Sequence, residues 1–407
     1  MRDRARRVIA ECLRISAFTE EPGRITRRFL TPPVREVHVL LRKRMEALEM
    51  TVLVDAAGNL RGLWRPQGTR GKRLILGSHI DTVPNAGAYD GVLGVVAALE
   101  WVALARESAL PLAIEVIAFS EEEGVRFGVP FLGSRAVAGR LDPAMLALKD
   151  ANGITAEGAI RAFGLDPDQI GNAVGDEDAL GFVEMHIEQG PVLEAEGLSV
   201  ASVSGIVGQT RVSLEFTGQA NHAGTTPMHL RRDALAAAAE WIGRVEQHAL
   251  ADEDLVATVG RLTVEPNAGN VVPGVVRVSL DVRHSRNSAR TAAVGNLLAE
   301  AEAIAARRGI ALEWTRQLDQ LAVPMDERLT AILEGAIEAA GFPPMQMPSG
   351  AGHDAMVMAA CMPTAMLFLR SPGGISHHPA EAVREEDVEA ALKVGCKFLQ
   401  RMEAEVG

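Results

Sequence analysis

The run at residues 77–100, GSHIDTVPNAGAYDGVLGVVAALE, constrains the fold of this chain more than any other stretch. It follows an apolar segment at 74–76 that predicts a buried strand, and it leads into 92–105, whose apolar composition predicts a buried helix. His79, Asp81 and Asp90 therefore lie at the carboxyl end of a strand or on the loop into a helix. Functional sites of open α/β sheets form at that position.

The side chains in this run are of the types that bind divalent metals. Neutral imidazole and carboxylate oxygens are ligands for Zn²⁺, Mn²⁺ or Co²⁺, and His79 and Asp90 can each supply one atom. Asp81, two residues after His79 on the same strand face, is expected to orient the imidazole through its other ring nitrogen. A polar loop that caps a helix explains the run equally well, so the interpretation depends on residues further along.

Three later segments place further candidate ligands after predicted strands. Residues 113–119 predict a strand parallel to the first one, because a helix connects the two, and they are followed by SEEEG at 120–124. A solvated charged face is one explanation of these acids, and a metal ligand beside a general base, Glu122 and Glu123, is the other. Residues 181–187 predict a strand that carries His186. The strand at 364–369 precedes GGISHHPAE, which offers His377 or His378.

Together these residues predict a two-metal site at the strand ends of one sheet. Two imidazoles per metal, one bridging carboxylate and one terminal carboxylate would make such a centre. A lone histidine in such a strand is more often structural, so the prediction depends on the whole set converging.

The pattern of the chain changes after residue 207. Segments 211–216, 255–264, 275–282 and 311–315 predict strands, and 231–249 and 289–307 predict helices, which gives the order β-α-β-β-α-β of a ferredoxin-like sandwich. After Pro324 the first pattern resumes. We therefore predict an α/β domain at 1–207 and 321–407, with a mostly parallel sheet and helices on both faces, interrupted by an α+β domain at 208–320. Within the first domain, 51–55 and 60–64 predict a hairpin, and the Ala-rich stretch up to about residue 163 predicts helix.

Charge and cysteine content exclude several classes of function. The net charge of −12 argues against nucleic acid or an anionic membrane as the main partner. No apolar stretch is long enough to predict a membrane span, and the basic N-terminus has too short an apolar run for a signal peptide. Three cysteines without a CxxC spacing fit a reducing compartment. A cytoplasmic protein is expected.

A set of motifs between about residues 75 and 390 resembles one family. HIDTVPNAGAYDG, SEEEGVRFG, MHIEQGP, NHAGTTPM, NVVPG, SGAGHDAM and GGISHHPAE are similar to those of the allantoate amidohydrolase and N-carbamoyl-L-amino-acid hydrolase family, in the aminoacylase/carboxypeptidase-like clan of dinuclear metallohydrolases. The resemblance implies a homodimer, an inserted dimerisation or lid domain, and two divalent ions per subunit, Mn²⁺ or Zn²⁺, with Co²⁺ or Ni²⁺ as further candidates.

The resemblance also implies roles for individual residues. Asp90 would bridge the two ions, His79 and His186 would complete one, and Glu123 and His377 the other. Glu122 matches the general base and Asp81 the outer carboxylate, whereas Glu121 matches no role and is expected to be solvated. His222 resembles an oxyanion-stabilising histidine from the partner subunit, and the remaining substrate-binding positions implied are Gln189, Gln209, Asn270, Arg283, Gly352 and His353. The other histidines, His38, His229, His248 and His284, are expected to be structural or on the surface.

The implied reaction is hydrolysis of a ureido or carbamoyl carbon–nitrogen bond in a small carboxylate. Allantoate is the first candidate substrate, because GQTR at 208–211 and GHDAM at 352–356 are closer to the allantoate enzymes. An N-carbamoyl-L-amino acid is the second, and an acyl-amino acid or dipeptide the third. A metal-free binding or scaffold protein is the alternative from another class, and metal analysis of the purified protein separates it from an enzyme.

Overall fold

The computed structural model describes residues 1–69, 71–175 and 178–406. The chain divides into two compact units: one is formed by Met1–Ser204 with the chain from Pro324 onward, and the other by Gly205–Val323. The predicted boundaries at 207 and 321 lie three residues from those of the structure. The larger unit is called the sheet unit below, and the smaller one the inserted unit.

Ten helices and their strands build the described part of the sheet unit. Its helices are α1 Arg2–Ser16, α2 Pro32–Ala47, α3 Val92–Glu107, α4 Leu132–Val137, α5 Pro143–Leu146, α6 Ala156–Ala162, α7 Val192–Ala195, α10 Glu327–Ala339, α11 Asp354–Met358 and α12 Glu385–Val406. Its strands are β1 Thr51–Val54, β2 Leu60–Trp64, β3 Arg73–His79, β4 Ala113–Phe119, β5 Ala179–Ile187, β6 Val200–Ile206, β14 Gln346–Ser349 and β15 Thr364–Leu369, with β13 Val323–Pro324 at the boundary.

These strands form one sheet in the order β1-β2-β4-β3-β5-β15-β6-β13, and β14 pairs with β6. The four central strands, β4, β3, β5 and β15, pair with one another in parallel. Strand β2 pairs with β4, and β6 with β15, in antiparallel orientation. Both β3 and β4 are buried along their whole length, as expected for continuous apolar runs in a parallel sheet covered by helices. This is a mixed α/β fold around a mostly parallel sheet.

Helix α3 is the central helix of the sheet unit, and it is buried from Val92 to Ala105. It packs on β3, β4 and β5, and α1 and α12 pack against it. A helix that is apolar on all sides has to be enclosed in this way. The segment between β3 and α3, which carries the first candidate ligands, is therefore fixed at both ends by the core.

The Ala-rich stretch after β4 differs from the prediction of continuous helix. It forms α4, α5 and α6, which are short and separated by turns. Gly139 follows the C-cap of α4 with a positive φ angle of 67°, which ends a right-handed helix, and Pro143 begins the next one at its first position. Gly153, with a φ angle of 77°, lies in the turn before α6. The local breakers thus outweigh the helix propensity of alanine here.

A buried ion triad connects three strands of the sheet unit. The Glu115 carboxylate accepts hydrogen bonds from Arg61 Nε at 2.7 Å and from Arg73 Nε at 2.5 Å. All three side chains are buried. Because buried charges are stabilised by their ion-pair partners, removing the central carboxylate would destabilise the fold through the two guanidinium groups that it contacts.

The inserted unit has its own sheet and core. Its elements are β7 Gly208–Thr217, β8 Asn221–His222, α8 Ala234–Leu250, β9 Val256–Glu265, β10 Val271–Val272, β11 Val275–His284, α9 Asn287–Arg308 and β12 Ala311–Gln320. Without the short β8–β10 pair, they follow the order β-α-β-β-α-β, and the sheet order is β12-β7-β11-β9 with antiparallel pairing. The buried residues of α8 and α9 pack with one face of these strands, as Trp241, Val278 and Leu297 illustrate. The dimerisation or lid role of this unit stays a prediction.

Within the described residues, no helix combines the length and the apolar composition needed to cross a bilayer.

Candidate metal centre

The candidate ligands meet at one edge of the sheet, where the parallel strands end. His79 is the last residue of β3 and pairs in register with Phe119, the last residue of β4. His186 lies one residue before the end of β5 and pairs with Phe368 of β15. Because these strands are parallel, their carboxyl ends and the loops after them share this edge.

Three buried side chains form the first group. His186 Nε2 lies 3.2 Å from Asp90 Oδ1, His79 Nε2 lies 3.7 Å from the same oxygen, and the two Nε2 atoms are 3.4 Å apart. All three residues are at most 2% exposed. Each offers one ligand atom, and these atoms are close enough to hold a single metal ion.

The ring orientation of both histidines is set by backbone carbonyl groups. His79 Nδ1 lies 3.0 Å from the Asp81 carbonyl oxygen, and His186 Nδ1 lies 2.8 Å from that of Ile187. A carbonyl oxygen only accepts, so each Nδ1 carries the proton and donates it. Nε2 is therefore the nitrogen that each ring, in its neutral form, offers as a ligand atom. Two facing lone pairs beside a carboxylate form a site for a cation.

A second group shares the other oxygen of Asp90. His377 Nε2 lies 3.2 Å from Asp90 Oδ2 and 3.6 Å from Glu123 Oε1. Glu123 Oε1 is buried and has no hydrogen-bond partner among the described residues. Burial, together with the Asp90 charge, raises the pKa of Glu123 to about 7, and the hydrogen bond to Asp90 raises the pKa of His377 to about 9. An orphaned carboxylate oxygen facing an imidazole fits a second cation.

The donor set therefore fits two divalent ions with one shared carboxylate. Imidazole nitrogen and carboxylate oxygen suit Zn²⁺ and Mn²⁺ alike. Burial by itself raises the pKa of Asp90, but His186, His377 and His79 outweigh it and hold that pKa well below the usual range. Asp90 is thus ionised and can offer one oxygen to each group.

Glu122 lies beside the first group, and its carboxylate also comes within metal-binding distance of His79 and Glu123. Its Oε2 is 4.0 Å from His79 Nε2, and its side chain is buried. Burial raises the pKa of the Glu122 carboxyl well above its ordinary value. A carboxyl group with a raised pKa next to a cation site is suited to accept and return a proton.

Asp81 contacts both the loop after β4 and the His79 ring, and its predicted role in orienting that ring stays a prediction. Its carboxylate accepts hydrogen bonds from the backbone N–H groups of Glu122 and Glu123, both at 3.0 Å. Its carboxylate oxygen is 3.6 Å from His79 Nδ1, so the closer contact to that ring comes from the Asp81 main chain. The Asp81 side chain mainly holds the loop after β4, because that loop carries two of the acids.

The predicted substrate positions of the sheet unit lie around the same groups. Gln189 Nε2 is 3.3 Å from each oxygen of Asp90 and 3.1 Å from Ser376 Oγ. His353 is buried, with its ring centroid 4.4 Å from that of His186 and its Nε2 2.9 Å from Ser349 Oγ. Gly352, the residue before it, approaches the Phe131 ring.

The remaining predicted positions lie in the inserted unit as two pairs. His222 of β8 pairs with Val271 of β10, and Ala223 N donates to the carbonyl of Asn270 at 2.9 Å. Gly224 N donates to His222 Nδ1 at 3.1 Å, so the exposed His222 carries its proton on Nε2 and presents a donor.

The second pair in the inserted unit is Gln209 and Arg283. They are opposite each other on β7 and β11, and both contact Asp281, Gln209 Nε2 at 2.6 Å and Arg283 Nε at 3.0 Å. A carboxylate bound by Arg283 would therefore share the guanidinium with Asp281.

One further cluster in the inserted unit has ligand types at metal-binding distances, formed by Asp252, Asp254 and His284. Arg286 N donates to His284 Nδ1 at 2.8 Å, so Nε2 carries the proton. That nitrogen lies 3.4 Å from Asp252 Oδ2 without forming a hydrogen bond to it. In this tautomer His284 presents no free lone pair at Nε2, and its structural or surface role stays a prediction.

The expectation of a solvated Glu121 is wrong. Glu121 is fully buried, and its carboxylate accepts hydrogen bonds from Phe29 N at 3.1 Å and Arg126 N at 2.8 Å. Burial raises its pKa to about 8. The position directly after a buried strand was a signal for burial, because the loop has to turn within the core.

Two other buried acids near the histidines did not emerge from the sequence. Glu184 accepts hydrogen bonds from Ser78 Oγ at 3.0 Å and Ala355 N at 2.7 Å, and Asp354 is fully buried. Glu184 shares a strand face with His186, which is the one sequence signal for its position.

Comparison with known proteins identifies the family. The family described as Peptidase family M20/M25/M40 matches residues 75–401. The chain belongs to this family. It is an M20-family hydrolase, and enzymes of the family are generally metal-dependent.

Relatives within the family carry more specific names. An N-carbamoyl-L-amino acid amidohydrolase of Geobacillus stearothermophilus is 40% identical over 377 residues, which cover 91% of this chain and 92% of the relative. An allantoate amidohydrolase of Escherichia coli (strain K12) is 37% identical over 399 residues, which cover 95% of both chains. The crystal structure of a hydantoinase/carbamoylase family amidase from Burkholderia multivorans has a TM-score of 0.92 at 31% identity and covers 98% of this chain and 97% of that one.

Proposed function

We propose that this M20-family hydrolase is an amidohydrolase that cleaves a ureido or carbamoyl carbon–nitrogen bond of a small carboxylate. We infer that His79, His186 and Asp90 hold one divalent ion and that Asp90, Glu123 and His377 hold a second. The shared carboxylate carries the proposal, because its two oxygens lie 3.2 Å from His186 Nε2 and 3.2 Å from His377 Nε2.

Two divalent ions held there, Mn²⁺ or Zn²⁺, would polarise the substrate carbonyl and lower the pKa of a water molecule. Glu122 accepts a proton from the attacking water and delivers it to the leaving nitrogen as the carbon–nitrogen bond breaks. The bond between the carbamoyl carbon and the substrate nitrogen breaks, so that nitrogen stays on the remaining carbon skeleton as an amine. The carbamoyl group is released as carbamic acid, which decomposes to ammonia and carbon dioxide. No covalent enzyme intermediate is needed, since water is the nucleophile.

Allantoate is the first proposed substrate, and its hydrolysis at one ureido group would give ureidoglycine. Relatives named allantoate amidohydrolase and allantoate deiminase support it. The N-carbamoyl-L-amino acids are the second candidate, favoured by the relative with 40% identity. The two substrate classes share a carboxylate and a carbamoyl nitrogen, so the same centre serves both.

The test is ammonia release by the full-length protein after removal of metal and reconstitution with Mn²⁺ or Zn²⁺. Allantoate, a series of N-carbamoyl-L-amino acids, an acyl-amino acid and a dipeptide are compared by kcat/KM. We expect allantoate to give the highest value. A higher value for the carbamoyl series assigns the second function, and hydrolysis of the peptide or acyl substrates alone contradicts the proposal.

We extend the proposal to a cytoplasmic homodimer in which the inserted unit of one subunit serves the site of the other. His222 is proposed to stabilise the oxyanion through Nε2–H, and Asn270 and Arg283 to bind the substrate carboxylate, with Gln189, Gln209, Gly352 and His353 lining the site. The donor tautomer of His222 supports its role, since an oxyanion needs a donor. All three cysteines are free, which suits a reducing compartment.

A further inference from the structure

Glu381 is the last residue of the GGISHHPAE motif, and the proposed reaction leaves it without a role. It is 6% exposed and lies in the loop before α12. The carboxylate accepts hydrogen bonds from neutral groups on two other segments. Those segments carry Asp90 and His377.

One oxygen of Glu381 holds the segment of Asp90. Glu381 Oε1 accepts hydrogen bonds from the backbone N–H of Tyr89 at 2.9 Å and from that of Asp90 at 3.0 Å. These amides lie directly before α3, where the backbone donors have no partner within the helix. The carboxylate fixes the main chain of the shared ligand itself, and the Asp90 side chain remains available to the two donor groups.

The other oxygen of Glu381 holds the segment of His377. Ser376 Oγ donates to Glu381 Oε2 at 3.2 Å, and the same hydroxyl accepts from Gln189 Nε2 at 3.1 Å. The donor and acceptor directions are consistent through this chain of bonds, since a hydroxyl has one proton and two lone pairs. Ser376 is the residue directly before His377.

The Asp90 segment is shaped to receive this carboxylate. A Cβ atom at Gly87 would lie 2.3 Å from Glu381 Cβ and 2.4 Å from its Oε1. Any side chain at position 87 would thus displace Glu381. The close approach of the two segments depends on glycine at 87 and on the carboxylate at 381.

His377 is the candidate ligand that most needs such support. Its side chain is 50% exposed and its φ angle is 54°, whereas the His79, His186 and Asp90 side chains are buried. The core packs around those three, but it does not enclose His377. The position of its imidazole therefore depends on the hydrogen bonds of its loop.

We propose that Glu381 is a positioning residue that sets the distance between Asp90 and His377, and thereby the affinity of the second ion. The inference rests on the proposed metal centre. Residues that orient metal ligands typically change metal affinity ~10–100-fold when they are removed. The ion held by Asp90, Glu123 and His377 is expected to respond, and the ion held by the two buried histidines much less.

The test is titration of the metal-free, full-length protein with Mn²⁺ by isothermal calorimetry. The wild-type protein is expected to bind two Mn²⁺ ions. Glu381→Ala is expected to weaken the second ion ~10–100-fold. Ser376→Ala removes the link to the His377 loop together with the acceptor of Gln189 Nε2, and it is expected to weaken the same ion. Glu381→Gln is expected to restore most of the affinity, because its carbonyl can accept from both amides and its NH₂ can donate to Ser376 Oγ.

Asp326→Ala is the control for general destabilisation. Asp326 accepts a hydrogen bond from Leu329 N at 2.8 Å at the start of α10. The substitution therefore removes a helix cap, and the Asp326 side chain has no hydrogen bond to a candidate ligand among the described residues. Equal weakening by this variant would show that affinity follows stability and would overturn the positioning role. Wild-type affinity in folded Glu381→Ala and Ser376→Ala would overturn it as well. If the wild-type protein binds no Mn²⁺, the proposed metal centre itself fails, which is a different result.

Discussion

The chemistry of individual residues at the candidate centre follows from their backbone neighbours. The carbonyl groups of Asp81 and Ile187 accept from the Nδ1 atoms of His79 and His186, and this leaves both Nε2 lone pairs directed to Asp90. In the inserted unit, an amide N–H donates to His222 Nδ1 and reverses the tautomer. Histidine therefore offers a lone pair for a cation in the sheet unit and an N–H donor in the inserted unit.

Glu122 is expected to be needed for turnover and not for metal binding. Glu122→Gln keeps the size of the side chain but cannot take a proton, so we expect kcat to fall ~10²–10⁴-fold while two Mn²⁺ ions remain bound. Steady-state kinetics on the best substrate and the metal content of the same preparation measure the two quantities. Turnover close to that of the wild-type protein contradicts the role as general base.

Glu121→Gln is the matched control for that variant. The substitution is the same one residue earlier, but Glu121 accepts from Phe29 N and Arg126 N and faces away from the proposed reaction. The two bonds go to different oxygens of Glu121, and the amide group of glutamine has only one acceptor oxygen. A buried donor without a partner costs ~1–3 kcal/mol of folding free energy. Thermal unfolding should show this loss, whereas kcat of the folded fraction should stay within ~10-fold of wild type.

Gly91 is expected to be intolerant of any side chain. It has a φ angle of +67°, and a Cβ atom there would lie 2.5 Å from the His79 ring. Gly91→Ala should therefore displace a ligand and weaken Mn²⁺ binding by at least ~10-fold. Gly164→Ala is the control. Gly164 has a φ of +90°, and a Cβ atom there would have no other atom within 4 Å, so the substitution adds only backbone strain. Equal Mn²⁺ affinity of the two variants in calorimetry would refute the steric explanation.

At the scale of secondary-structure elements, the buried strands and the parallel pairing of β3 with β4 were the most predictable features. Continuous apolar runs predict β3, β4 and β15, and the residues directly after them predict where ligands can lie. The three short helices between Leu132 and Ala162 were not predictable from composition, since glycine and proline decide the breaks. Glu381 was not predictable either, because its role depends on a contact between two loops that are distant in sequence.

Helix α2 is expected to make stability depend on pH through His38. The ring packs edge-on against Phe163 with centroids 5.6 Å apart, and burial, with Arg42 and Arg35 nearby, lowers the pKa of His38 to about 4. In the unfolded chain the pKa is ~6.5. Between these values the unfolded state binds a proton that the folded state does not, so this contribution is complete above pH ~6.5 and is lost as the pH falls towards 4.

His38→Leu removes this proton linkage. The free energy of unfolding of the wild-type protein, relative to the variant, should be about 2 kcal/mol lower at pH ~5 than at pH ~7.5. Urea unfolding of both proteins at both pH values measures the difference, and the titration of the other groups cancels in the comparison. A difference that does not change with pH contradicts the linkage.

For the whole molecule, the insertion could be predicted because the α/β pattern stops and later resumes. The boundaries found in the structure lie within three residues of the predicted ones. The predicted site, however, draws on residues of both units, and a sequence does not tell whether His222 serves the site of its own chain or that of a second copy. That distinction determines whether one chain is sufficient for activity.

Mixing two inactive variants decides this question. If His222 completes the site of the partner, a dimer of one Glu122→Gln subunit and one His222→Ala subunit has one intact site, since the chain with Glu122 receives His222 from the other. Half of the dimers are mixed after random exchange, so about a quarter of wild-type kcat should return. If His222 serves its own chain, every site keeps one defect and mixing restores nothing. Ammonia release after denaturation and joint refolding measures the outcome, and a mixture of Glu122→Gln with itself gives the baseline.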